Sequence, residues 1–158
     1  MFADSQDYLR RVNAINQAIG RFSVGNNGEA PEVVGVCPEL LELMILRYNE
    51  AFYPQPVGSH EPKLKLSGVD IKHQYWEDKD FVLYPKLSDY KYASNRYSLR
   101  NALATNGEGF SKGKSSQERK FRLYEEAEGF ASMCGIPDAT WHNVVKEYLE
   151  EFPEAPED

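Results

Sequence analysis

The chain has 158 residues, 18 basic against 25 acidic side chains, 41% hydrophobic and 13% aromatic residues, and two cysteines. This length suits one domain with a real core, and the aromatic content excludes a disordered chain. No run of about 18 apolar residues is present, the densest being Leu43–Leu46, so a spanning helix is excluded and a soluble protein is expected.

The start, Met1-Phe2-Ala3-Asp4, lacks the basic and apolar regions of a secretory signal, which points to a cytoplasmic protein. Cys37 and Cys134 are then expected as free thiols serving as small core residues. Charge is uneven along the chain. Residues 1–85 hold eight basic and twelve acidic side chains, 86–122 nine and three, and 123–158 one and ten. The positive block either forms an anion-facing patch or pairs with the acidic end of the same molecule.

From Asp4 to Phe22 the residues Tyr8, Val12, Ile15, Ile19 and Phe22 recur every three or four positions, which predicts an amphipathic helix. Ser23–Glu32 contains Gly25, Asn26, Asn27, Gly28 and Pro31 and reads as a loop, and Val33, Val34 and Val36 offer a short strand. Pro38 opens a second helix whose Leu40–Tyr48 stretch is apolar on nearly every face, predicting burial. Three prolines and a glycine then make Tyr53–Pro62 an expected exposed connection.

Lys63–Leu66 and Val69–Ile71 alternate about the turn Ser67-Gly68 and predict a hairpin, and Phe81–Tyr84 reads as another strand ended by Pro85. A third helix is expected after Ser94, with Leu99, Ala102 and Leu103 inward and Gly107 beyond its end. Gly107–Ser116 reads as a loop, and Ser115 with Glu118 forms a capping box for a fourth helix. That helix is expected to bury Phe121, Tyr124, Ala127, Ala131 and Cys134 and to stop at Gly135. Asp138 is expected to cap a last helix burying Trp141, Val144, Val145, Tyr148, Leu149 and Phe152. The order predicts an α+β fold: one helix-rich domain over 1–152, with about three short antiparallel strands covered by the terminal helices, and an acidic flexible tail at 153–158.

Four stretches invite chemistry. Residues 127–150, with Ala131, Gly135, Trp141 and Val144, look like a helix-turn-helix. In that reading Thr140, Asn143 and Lys146 face base edges while Lys112, Lys114, Arg119 and Lys120 hold phosphates. Asp138, Glu147, Glu150 and Glu151 give the reading helix the wrong sign, and a plain helical hairpin explains the same pattern. Gly107–Ser115 nearly spells a phosphate-cradling loop, but Glu108 stands where the motif needs glycine. Asp70 with Glu77, Asp78, Lys79 and His73 faintly resembles a restriction-like nuclease pattern, with a spacing tight for that geometry. Tyr84, Lys86, Tyr90, Lys91, Tyr92, Arg96, Tyr97 and Arg100 interleave aromatic and basic groups, as interface anchors do.

No nucleophile has a base nearby in sequence, so no catalytic residue, metal or cofactor is expected. The expectation is a non-enzymatic protein that binds another protein, one with a basic or nucleic-acid-handling surface. Its profile is that of an inhibitor, immunity protein or phage-type host-defence antagonist. The expected contact residues are Tyr90, Tyr92, Arg96, Tyr97, Arg100, Glu147, Glu150 and Glu151, no membrane is involved, and a homodimer is compatible. The alternative is a helix-turn-helix DNA-binding regulator.

Overall fold

The computed structural model describes residues 2–51 and 64–154. The expected connection Tyr53–Pro62 lies outside them, as does the end of the acidic tail. The fold is α+β, and the chain divides into two compact units, 1–90 and 91–158. No helix among the described residues is long and apolar enough to cross a membrane.

In the first unit, α1 (Phe2–Gly25) and α2 (Pro38–Ala51) accompany four strands: β1 (Val33–Val36), β2 (Lys65–Leu66), β3 (Val69–His73) and β4 (Phe81–Tyr84). The α1 stripe is the expected one for Tyr8, Val12, Ile15 and Ile19, while Phe22 stays outside the cluster; Ile15 and Ile19 bury against Val34, Val36, Leu40, Met44, Val69 and Ile71. Ser67 and Gly68 both take positive φ, 52° and 79°, so the β2–β3 hairpin turns in the primed geometry that matches strand twist.

The sheet differs from expectation in being mixed, with order β2-β3-β1-β4. β1 runs parallel to β3 and antiparallel to β4. All four residues of β1 are buried, and a strand covered on both faces reads as a continuous apolar run without alternation. The chain reaches β3 from β1 by way of α2, as a parallel pair requires. Gly35 admits the close packing of this centre, since a Cβ there would lie 2.9 Å from Tyr84 Cε2 and 3.1 Å from Gln74 Cβ.

α3 (Leu87–Ala102) starts earlier than its apolar pattern implies. Asp89 accepts a hydrogen bond from the Lys86 backbone N–H at 3.1 Å, and Glu32 accepts one from Leu87 N–H at 2.9 Å, which satisfies the first helical donors. Beyond Ala102 the helix continues through a π-helical turn, Leu103–Gly107, into α4 (Glu108–Phe110). Gly107 therefore lies inside helical structure, where an added Cβ would sit 2.7 Å from Leu123 Cδ2.

The second unit packs Leu99, Leu103, Leu123, Ala127, Ala131, Trp141, Val144, Val145 and Tyr148 into one core. α5 (Ser116–Cys134) begins at Ser115, whose hydroxyl accepts from Glu118 N–H at 3.2 Å as the capping box predicts. Ser115→Ala should cost about 1 kcal/mol, readable as a lowered denaturation midpoint; an unchanged midpoint would show the cap to be dispensable.

The inward register of α5 is corrected. Arg119, Leu123, Ala127 and Ala131 are buried, whereas Phe121 is 66% exposed. The reason is electrostatic: Glu108 is itself buried, and Arg119 must face it. Cys134 is exposed, so it is not a core residue, and Cys37 is half-buried; both are free thiols. Gly135 takes φ 69° and ends α5. α6 (Asp138–Glu151) has Pro137 at its N-cap position, with no side-chain cap, while the Asp138 carboxylate accepts from Trp141 Nε1 at 3.0 Å instead of capping the backbone.

Candidate functional site

The stretch His73–Asp80 carries the most concentrated side-chain chemistry of the first unit. As β3 ends, Gln74 N–H still bonds to Val36 carbonyl at 2.9 Å, which fixes its side chain inside the unit, wholly buried. The Gln74 carbonyl oxygen accepts from Tyr84 hydroxyl at 3.1 Å, and that hydroxyl accepts from Trp76 Nε1 at 2.8 Å. Tyr90 donates to the His73 carbonyl at 2.6 Å.

Around these bonds the rings form a continuous chain. His73 and Tyr75 lie 5.0 Å apart, Tyr75 and Trp76 5.3 Å, Trp76 and Tyr90 5.4 Å, and Tyr90 and Tyr84 5.5 Å. Two of these, Tyr75–Trp76 and Tyr84–Tyr90, meet edge to face, a geometry that stabilises a cluster beyond its buried area. Burial pushes the phenols of Tyr84 and Tyr90 above their ordinary range, so both remain protonated donors. Tyr75, at the rim, stays 46% exposed.

Next to the rings, Arg11 of α1 holds the β3–β4 connection. Its Nε and Nη2 bond to the two Asp80 carboxylate oxygens at 3.0 and 2.8 Å, and Nη1 bonds to Glu39 at 3.3 Å. The Asp80 bonds push this buried guanidinium still further into its charged form. Cys37 Sγ accepts a longer contact from Nη2, 3.6 Å. Arg11, Cys37, Pro38 and Glu39, together with Tyr75 and the run Glu77 to Asp80, line an open cleft of about 440 Å³.

Four carboxylates thus face two cations, and Arg11 is engaged by Asp80 and Glu39. Glu77 and Asp78 are exposed, with no ion pair among the described residues. Such a cleft can attract and orient a cation; among the described residues no three His, Cys, Asp or Glu side chains gather as a metal would need. Asp70, which the nuclease-like reading requires beside Glu77, is exposed on β3 and lies 3.8 Å from Lys65.

Of the contact residues expected from sequence, Tyr90 belongs to the ring cluster, Tyr92 is 39% exposed and Tyr97 is half-buried. Arg96, Arg100, Glu147 and Glu151 come together, but with one another. Arg96 Nε bonds to Glu147 at 3.1 Å, and Arg100 donates to Glu151 while lying 5.7 Å over the Tyr148 ring. Glu150 is exposed and joins no ion pair among the described residues.

Of the DNA-facing set, Lys112, Lys114, Lys120, Asn143 and Lys146 are exposed and Thr140 is half-buried. Arg119 is not available to a phosphate: it is 5% exposed, bonded to Glu108 at 2.8 and 2.9 Å and to the carbonyls of Phe152 and Pro153 at 3.0 and 3.3 Å. The phosphate-loop-like stretch starts within the π turn and α4, where Ser111 hydroxyl donates to Gly107 carbonyl at 2.7 Å.

No family model, curated protein or solved structure matches this chain. The residues that sequence reading missed are Arg11, Tyr75 and Trp76. Tyr75 and Trp76 stand directly before the acidic run and were visible as an aromatic-acidic junction; Arg11, 69 residues from Asp80, left no local signal.

Proposed function

We propose that this chain acts without catalysis in a cytoplasm, as an inhibitor-, immunity- or antagonist-type protein that occupies the basic or nucleic-acid-handling surface of a partner protein. The supporting observation is the internal pairing of the positive block. Three of its arginines, Arg96, Arg100 and Arg119, are engaged by Glu147, Glu151 and Glu108. The molecule keeps a net charge of -7, with carboxylates such as Glu77, Asp78 and Glu150 turned to solvent. An exterior of this sign repels phosphate backbones and steers the molecule toward a cationic surface.

The proposed contact residues are those of the Tyr75 cleft in the first unit and, separately, the exposed Glu150 of α6 in the second. Immobilised full chain should retain a specific protein from nuclease-treated lysate, and moderate salt should weaken that retention. Glu150→Lys should weaken binding to the purified partner by roughly two- to fivefold at low salt, as suits an exposed charge. Reversal at Glu147 or Glu151 would also break an internal pair, so Glu150 is the cleaner substitution. Retention of duplex DNA at low salt, lost when Lys112, Lys114 and Lys120 become alanine, would replace this reading with the DNA-binding one.

A further inference from the structure

We propose that the Tyr75 cleft seats an arginine side chain from a basic segment of the partner, the guanidinium lying on the Tyr75 ring and bonded to the carboxylates of Glu77 and Asp78. The inference rests on the reading that the partner presents a basic surface, and it names the chemistry that would be recognised.

Three features of the cleft select that occupant. Its volume of about 440 Å³ and open mouth admit a long side chain, and with Arg11 held by Asp80 and Glu39 the two carboxylates of Glu77 and Asp78 outnumber the one remaining lining cation, Lys79. The charge balance therefore favours a cationic occupant, with Glu77 and Asp78 as the carboxylates left to bind it. The half-exposed Tyr75 ring, in contact with His73 and Trp76, lines the cleft, and a planar guanidinium covers an aromatic ring better than a compact ammonium.

The same contacts already occur within this chain. Arg11 forks onto Asp80 in the cleft itself, Arg47 lies 5.4 Å over Tyr8, and Arg100 lies over Tyr148. Arg100 combines a carboxylate, Glu151, with an aromatic face, Tyr148, and Glu77, Asp78 and Tyr75 offer the same two groups at the cleft.

The test is titration of ¹⁵N-labelled full chain with blocked hexa-arginine and hexa-lysine peptides at low salt. Amide shifts should concentrate at 37–39 and 75–80, and hexa-arginine should bind roughly three- to tenfold more tightly. Tyr75→Ala should weaken hexa-arginine roughly two- to fivefold and abolish its advantage. The near-isosteric pair Glu77→Gln and Asp78→Asn, which preserves side-chain volume, should weaken both peptides. Shifts centred on α6 or spread evenly, or an arginine preference that survives Tyr75→Ala, would overturn the cleft assignment and leave the inhibitor reading standing. Cleft-centred arginine binding by a chain that captures no protein would instead uphold the cleft and sink that reading.

Discussion

Arg119→Ala should destabilise the second unit by about 3–5 kcal/mol, because it leaves the Glu108 carboxylate buried without its counter-ion. Both side chains are less than a tenth exposed, so water cannot take over the lost contacts without opening the structure. The carbonyls of Phe152 and Pro153 lose their donors in the same step. Urea unfolding followed by Trp141 fluorescence, with Trp76→Phe as background, measures the effect where it arises. Pairing Arg119→Met with Glu108→Leu should recover most of the loss, since an apolar pair of similar volume avoids the desolvation of two charges. A single-substitution cost below about 1 kcal/mol would mean that the pair is solvated, contrary to its burial.

Gly107→Ala and Leu123→Ala should each destabilise the fold, and together by less than their sum. The first forces a methyl to within 2.7 Å of Leu123 Cδ2 and should cost about 1–3 kcal/mol through overpacking. The second empties a fully buried site and should cost about 2–5 kcal/mol. In the double variant the new methyl enters space that Leu123 has vacated, giving a coupling of about 0.5–3 kcal/mol. Strict additivity in the unfolding free energies would show that the π turn moves away from α5 instead of pressing on it.

The parts of the fold legible in the amino-acid order are those whose causes lie within a few residues. The α1 stripe follows from the spacing of Tyr8, Val12, Ile15 and Ile19. The β2–β3 turn needs only Ser67 and Gly68, the α5 start needs Ser115 and Glu118, and its end needs Gly135. Each is a contest between local backbone conformations, so neighbouring residues decide it. The early start of α3 was equally local but was hidden, because its signal is the polar Asp89 and not an apolar period.

The charged and aromatic assemblies obey a different rule. Arg96 and Arg100 were read as outward anchors, yet each finds its carboxylate 51 residues away on α6. Arg11 meets Asp80 across 69 residues, and that meeting shapes the cleft. Arg119 displaces Phe121 from the interior because a buried Glu108 costs more without a cation than an exposed phenylalanine does in water. Net acidity, helix content and turn positions are thus carried by composition and short-range pattern. Which charges are neutralised inside and which carboxylates remain outside depends on the folded chain, because Coulomb pairing acts through space and its partners can be far apart along the backbone.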